Sequence, residues 1–215
     1  MRVINLLSQG PQPYEDVDQR QRGLHQEVAN GGEPALIVVQ MQSVYTAGRR
    51  TGPWDIVDES IRVVSVDRGG RITWHGPGQI VVYPIVALQQ PIDVVKYVRA
   101  LEQAVMDTCA LYGVQTKRVE GRSGVWLANP DRKICAVGVR VAQGATLHGI
   151  ALNVCNSLEP YGHIVPCGIS DAAVTSLQQE TGVSELTPVA EQLVANLIAT
   201  LTPIIQPGTP AAVLS

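Results

Sequence analysis

The stretch Gly124-Val125-Trp126-Leu127-Ala128-Asn129-Pro130-Asp131-Arg132-Lys133-Ile134-Cys135-Ala136-Val137-Gly138-Val139-Arg140-Val141 decides the fold. Two β-rich runs, 124–127 and 133–141, are hinged on Asn129-Pro130-Asp131, a turn signal, and so form a hairpin. A third strand, Leu147 to Val154, follows Gln143-Gly144. Working outward, Ala35–Val39 and Val63–Val66 are apolar enough for buried strands, and Gln79–Leu88 for a central one. Arg2–Leu7 alternates weakly, as an edge strand does. Helical spacing places Val17, Leu24 and Val28 on one side of a helix over Tyr14–Asn30, stopped by Gly31-Gly32. The longest helix opens at Pro91, with Val94, Val98, Leu101, Val105 and Tyr112 in one stripe and Cys109 on it. Two more helices are expected, over Asp171–Thr181 and over Pro188–Leu201, the second with Thr187 as its cap. With no repeat and no linker, this is one α+β domain over residues 1–201. Pro203, Pro207, Gly208 and Pro210 mark 202–215 as a loose tail.

The totals exclude several classes. Hydrophobic residues make up 45% and charged residues 16%, with a net charge of -3. No basic stripe points to nucleic acid, and no apolar run is long enough to span a membrane. Met1–Asn5 lacks a signal-peptide core, and the four cysteines (Cys109, Cys135, Cys155, Cys167) show no disulfide framework. A reducing, cytoplasmic setting is therefore expected. His163 and Cys167 lack metal-ligand spacing, so no metal is expected. Of the 16 basic residues only Lys96, Lys117 and Lys133 are lysine. Where arginine is the default cation, a retained lysine marks a place that needs an amine able to lose its proton.

Cys167 lies in His163-Ile164-Val165-Pro166-Cys167-Gly168-Ile169-Ser170-Asp171. A thiol between Pro and Gly in a loop is poorly placed for core packing. The helix expected from Ser170-Asp171 would lower its pKa through the partial positive charge of a helix N-terminus. Strand alternation puts Lys133 at the head of an apolar row with Cys135, Val137, Val139 and Val141, where desolvation pushes an amine towards neutrality. A solvated lysine beside a polar turn is the bland alternative, and Cys135 is a rival nucleophile. The run Arg68–Gln79 holds four glycines, whose N–H groups suit a phosphate or an oxyanion, but it matches neither the P-loop nor the dinucleotide fingerprint. A Cys-His-Asn protease set drawn from Cys167, His148 and Asn153 has no local signature behind it.

Taken together, the ordered stretches Val44–Arg50, Arg68–Pro84, Gly121–Trp126, Lys133–Val141, Leu147–Asn153 and Ile164–Leu177 resemble the octanoyltransferases of lipoate assembly. The resemblance implies the mixed β-sheet flanked by helices of the biotin and lipoate protein ligase catalytic domains. It implies a Cys/Lys dyad on Cys167 and Lys133, with no cofactor. Substrate contacts are implied at Arg68, Gly69 and Gly70; at His75, Gly76, Gly78 and Gln79; and at Val137, Gly138, His148, Gly149, Ala151 and Gly168. The expected reaction moves octanoyl from acyl carrier protein onto a lysine of lipoyl domains, in 2-oxo acid dehydrogenase E2 subunits and glycine cleavage H protein. A monomer is expected. The alternatives are an ATP-dependent lipoate or biotin protein ligase and a Cys/Lys thioester hydrolase. The chain departs from the family at Met41, where a histidine is usual. Tyr45, Leu152 and Val165 are expected to wall an acyl slot. Arg49, Arg50, Arg68 and Arg71 are expected to dock acidic partners, and N–H groups near Gly168 and over Gly76–Gly78 to hold an oxyanion.

Overall fold

β2 (Ala35–Val39) and β6 (Gln79–Ile85) are buried along their whole lengths, and period-two alternation sorts their side chains onto two faces. Leu36, Val38, Ile80 and Val82 enter one apolar cluster; Ile37, Val39, Val81 and Tyr83 enter another. The computed structural model describes residues 1–165 and 173–207. It surrounds these strands with β1 (Arg2–Asn5), β7 (Lys117–Val119), β8 (Arg122–Leu127), β9 (Arg132–Ala142) and β10 (Ala145–Asn153). The order is β1-β2-β6-β10-β9-β8-β7. β1 is parallel to β2, and every other step along this path is antiparallel.

One face is covered by α2 (Val94–Leu111) and α4 (Leu186–Leu201), through Tyr97, Leu101, Val105, Leu193, Leu197 and Leu201. The other face receives α1 (Tyr14–Ala29), through Val17, Leu24 and Val28. Each of these fully buried side chains is worth about 1.5–3 kcal/mol, enough to fix which stripe of each helix turns inward. A second, three-stranded sheet, β4 (Val63–Ser65), β3 (Val44–Ala47) and β5 (Thr73–His75), stands apart over Ile72, Trp74, Tyr161 and Ile164. Among the described residues no helix is long and apolar enough to cross a membrane.

Several boundaries differ from the sequence expectation, and each has a local cause. The Asp93 side chain accepts the Lys96 N–H and caps α2, so Pro91 lies before the helix. α4 opens at Leu186 with Thr187 and Pro188 inside its first turn. The helix expected from Asp171 begins at Leu177: α3 (Leu177–Thr181) is capped by Ser176, which accepts the Gln179 N–H. Ala173–Val174 is instead a strand, β11, parallel to β9. It takes the place beside Arg132 and Lys133 that β10 leaves by ending at Asn153. The first residues of the tail expected from Thr202, as far as Gln206, are docked. Ile205 is 8% exposed and bridges Leu88, and Gln206 donates to the carbonyls of Ala87 and Leu88.

Candidate active site

A cleft of about 260 Å³ opens where β5, β6, β9 and β10 meet the loops at Arg50 and 68–71 and the start of β8 at 121–123. Lys133 enters it because of an irregularity in the hairpin. Trp126 pairs with Lys133 and Val125 with Cys135, so Ile134 is one extra residue on β9. Such a bulge breaks the alternation. Ile134 and Cys135 both join the apolar cluster with Val125, while Lys133 turns the other way into the cleft. The single apolar row from Lys133 to Val141 is therefore corrected. Lys133 is 5% exposed, with Nζ 4.5 Å from the centroid of the Trp126 ring. Across the hairpin Gly124 takes φ +124, and a Cβ there would meet the Cys135 carbonyl at 2.6 Å and the Lys133 stem at 3.3 Å. Only glycine fits that backbone and that space. Its N–H is held by Glu102 Oε1 from α2 at 3.0 Å.

Val174 is the register partner of Lys133, and the Thr175 N–H donates to the Lys133 carbonyl at 2.9 Å. From there a polar chain crosses the sheet. Asn153 Nδ2 donates to the Thr175 carbonyl, Gln79 Nε2 donates to Asn153 Oδ1, and Gln79 Oε1 faces His75 Nδ1 at 2.8 Å. An amide oxygen only accepts, so His75 Nδ1 carries the proton and Nε2 is left as an acceptor. Burial pushes His75 down to about 4, against the upward pull of Gln79, and its imidazole is neutral at pH 7.

His148 is held more tightly. Its backbone adopts φ +58, two residues before the ladder with β6 begins at Ile150. Gln21 of α1 accepts the His148 N–H at 2.8 Å and lies 3.3 Å from Nδ1; Asp67 lies 2.8 Å from Nε2. Burial lowers the His148 pKa, although Asp67 opposes it. Burial would raise the Asp67 carboxyl, but hydrogen bonds from Arg22 and His148 overcome this and hold it well below the usual carboxylate range. Arg140 also pairs with Asp67. The Tyr83 ring meets the His148 ring edge-on at 5.8 Å. Gln21, which the sequence reading did not single out, is fully buried on the face of α1 that carries Val17, Leu24 and Val28.

Of the residues expected to touch substrate, Arg68, Gly70, His75, Val137, Gly138, His148, Gly149 and Ala151 line this cleft with Lys133. Gly69, Gly76, Gly78 and Gln79 do not. Gly69 donates to the Val139 carbonyl, and the Gly78 N–H is taken by Gln40 Oε1 at 2.9 Å, which removes it as an oxyanion donor. Gln79 reaches the cleft only by its contact with His75. Cys167 and Gly168 lie outside the described residues. The chain leading to them is anchored by the Val165 N–H on the Asp55 carbonyl.

Other expectations change. Arg68 is a structural peg: it is 7% exposed and donates to the carbonyls of Thr46, Gly69 and Arg71 and to Thr46 Oγ1. Gly138 leaves room for it, since a Cβ would sit 2.9 Å from Arg68 Cδ. Arg71 is paired with the buried carboxylate of Asp55. Leu152 belongs to the opposite face, and neither Tyr45 nor Val165 lines the cleft. Its apolar wall is Tyr83, Ala136, Val137, Ile150 and Ala151. Met41 is fully buried in the cluster under α1. Cys135 is no rival nucleophile: burial, with Cys109 beside it, drives its thiol far up, and its Sγ donates to the Ala136 carbonyl. Cys109 is pushed up to about 12 by burial, and burial raises Cys155.

The fold is that of the lipoate and biotin protein ligase catalytic domains. A bi-partite lipoate protein ligase from Thermoplasma acidophilum superposes with a TM-score of 0.68 at 15% identity, covering 99% of this chain and 87% of that one. A lipoate-protein ligase A bound with ATP gives 0.68 at 16% identity, covering 99% and 89%. A biotin protein ligase from Aquifex aeolicus, in complex with biotin and ATP, gives 0.58 at 16% identity, covering 94% and 70%. At such identities these likenesses show the fold alone.

The chain belongs to the lipoyl protein ligase A/B catalytic domain family, whose model matches residues 13–200. An octanoyltransferase from Salinispora tropica is 48% identical over 204 residues, covering 91% of this chain and 96% of that protein. An octanoyltransferase from Thermobifida fusca is 46% identical over 209 residues, covering 91% and 89%. Likeness of this extent marks the chain as an acyltransferase.

Proposed function

We propose that the chain transfers an octanoyl group from the thioester of an acyl carrier protein to a lysine of a lipoyl domain, with Cys167 as the transient acyl acceptor. The observation that carries this reading is the setting of Lys133: a lysine 5% exposed, brought into an apolar-walled cleft by a bulge. Its register partner, Val174, follows Cys167 by only seven positions. Lys133 takes the thiol proton, and the thiolate adds to the thioester carbonyl. The bond from that carbon to the carrier sulfur breaks, and the carrier thiol leaves with a proton. The amine of the acceptor lysine then adds to the new thioester. The C–S bond to Cys167 breaks, an amide forms, and Lys133 returns the amine proton to the sulfur.

The Gly168 N–H serves as an oxyanion donor, a contact worth roughly 3 kcal/mol in comparable sites. Seven alkyl carbons against the wall of Tyr83, Ala136 and Ile150 add on the order of 5 kcal/mol, at about 0.8 per carbon. An ATP-dependent ligase shares the fold, and a hydrolase would share the dyad. Product analysis separates the three: purified enzyme, octanoyl carrier protein and lipoyl domain, without ATP, are expected to yield octanoylated lysine. A strict need for ATP, or octanoic acid as the sole product, defeats the transferase reading.

A further inference from the structure

Trp54 is 70% exposed and Val57 62%, yet the turn that carries them is tightly built. The Gly52 N–H donates to Asp55 Oδ2 at 2.8 Å, and the Asp55 N–H donates back to the Gly52 carbonyl. Trp54 folds its ring against Gly52, where an added Cβ would stand 2.4 Å from the indole. One side of the ring therefore packs on backbone while most of the residue meets solvent. An indole held in this way has little rotamer freedom left to lose, and Trp is among the side chains most enriched at interface hot spots.

Asp55 also ties this turn to the site. Its fully buried carboxylate pairs with Arg71 at the cleft, and its carbonyl accepts the Val165 N–H, two residues before Cys167. The Val57 N–H donates to the His163 carbonyl, and Ile56 bridges Ile164. On the other side of Gly52, Arg49 and Arg50 are both exposed, their N–H groups held by the Arg68 and Gly70 carbonyls. Arg50 lines the cleft. An exposed indole, an exposed valine and two exposed guanidiniums thus stand on one braced loop beside the cleft mouth.

We infer that this loop is the docking surface for the acceptor domain, with Trp54 as its apolar anchor and Arg49 and Arg50 facing carboxylates beside the target lysine. This rests on the transfer reading. A lysine amine ends a four-carbon stem, so the domain that carries it must bring its own surface to the cleft mouth. The donor thioester rides on a long pantetheine arm and sets no such demand on where the carrier protein sits. Trp and Arg are both enriched at such interfaces, and the two arginines give the encounter an attraction that salt screens.

The test divides the reaction into its two halves. Trp54→Ala is expected to raise KM for an isolated lipoyl domain about tenfold, with kcat within about twofold of wild type. Acylation by octanoyl carrier protein should stay unchanged. Trp54 is mostly in solvent, so the variant keeps its fold; Trp54→Phe, which keeps a ring on Gly52, should recover part of the loss. In wild type, KM for the domain should rise with salt. An unchanged KM in Trp54→Ala, or a wild-type KM indifferent to salt, overturns the docking surface. A loss confined to acylation assigns the loop to the carrier protein, and an equal loss with octanoyl-pantetheine and free lysine amide marks a merely structural effect. Either result overturns the inference as well. So does a concentration-dependent wild-type dimer that Trp54→Ala dissolves, since a second copy would then cover the loop. If wild type transfers nothing to the domain, the transfer reading fails. Calorimetric binding of the lipoyl domain then decides the docking surface by itself: weaker binding by Trp54→Ala supports it, and equal or absent binding overturns it.

Discussion

Lys133 and Cys135 stand two residues apart on β9, yet the sheet delivers them to different environments. The face under α2 and α4 is dry: Cys135, Cys109 and Leu152 pack there, and burial leaves the thiols inert. The face under α1 is apolar near that helix but opens at its far end into the cleft. There Gln21 and Asp67 orient His148, and Gln79 orients His75, in the cleft that Lys133 enters. One strand can serve both because the extra residue at Ile134 reverses its alternation. The lesson is that chemical residue type decides little here. A thiol and an amine on one strand become filler or reagent according to which side of a bulge they fall.

The comparison breaks most visibly at Lys133. Lys133→Arg puts a guanidinium that cannot give up its proton where the amine stands, so single-turnover octanoyl transfer should fall roughly 10²–10⁴-fold. A rate within threefold of wild type would mean that the cleft face is not the reactive one. Next comes acid stability. His75 titrates at about 4 in the folded protein against 6.5 as its ordinary value. Between those pH values the unfolded chain binds the proton and the folded one does not. Stability therefore rises with pH across that window, by up to about 1.4 kcal/mol per unit. Urea midpoints for His75→Gln should show a flatter dependence, while His148, shifted in the same direction, keeps part of the slope.

Ala136→Leu fills the apolar wall where two or three methylenes would lie. At about 0.8 kcal/mol each, the octanoyl-over-butanoyl ratio in kcat/KM should drop roughly tenfold to a hundredfold. An unchanged ratio would move the acyl slot elsewhere. The smallest effect is on the dry face: Cys135→Ala should cost about 1 kcal/mol in denaturant unfolding and leave transfer intact.

Much of the frame was legible from local pattern. Ala35–Val39, Gln79–Ile85 and the hairpin around Asn129-Pro130 are long, apolar and clearly punctuated, and they fold as expected. The failures lie where partners are distant in sequence. Ala173–Val174 sits in a run that suits a helix, and only pairing with Arg132 and Lys133 makes it a strand. The described part of the helix expected over Asp171–Thr181 therefore starts only at Leu177. The small sheet escaped because Val44–Ala47 and Thr73–His75 are too short to show alternation. Lys133 was recognised, but on the wrong face, because the bulge depends on Gly124 across the hairpin and on Glu102 behind it. Gln21 and Asp67 carry no motif; they become site residues only when α1 and the loop before Arg68 fold onto His148.

The most direct test of the account is intact-mass and peptide mapping of enzyme mixed with octanoyl carrier protein in the absence of acceptor. The account predicts one octanoyl adduct, on the peptide containing Cys167, retained in Cys135→Ala and absent from Cys167→Ser. An adduct that maps to Cys135, or that persists in Cys167→Ser, contradicts it.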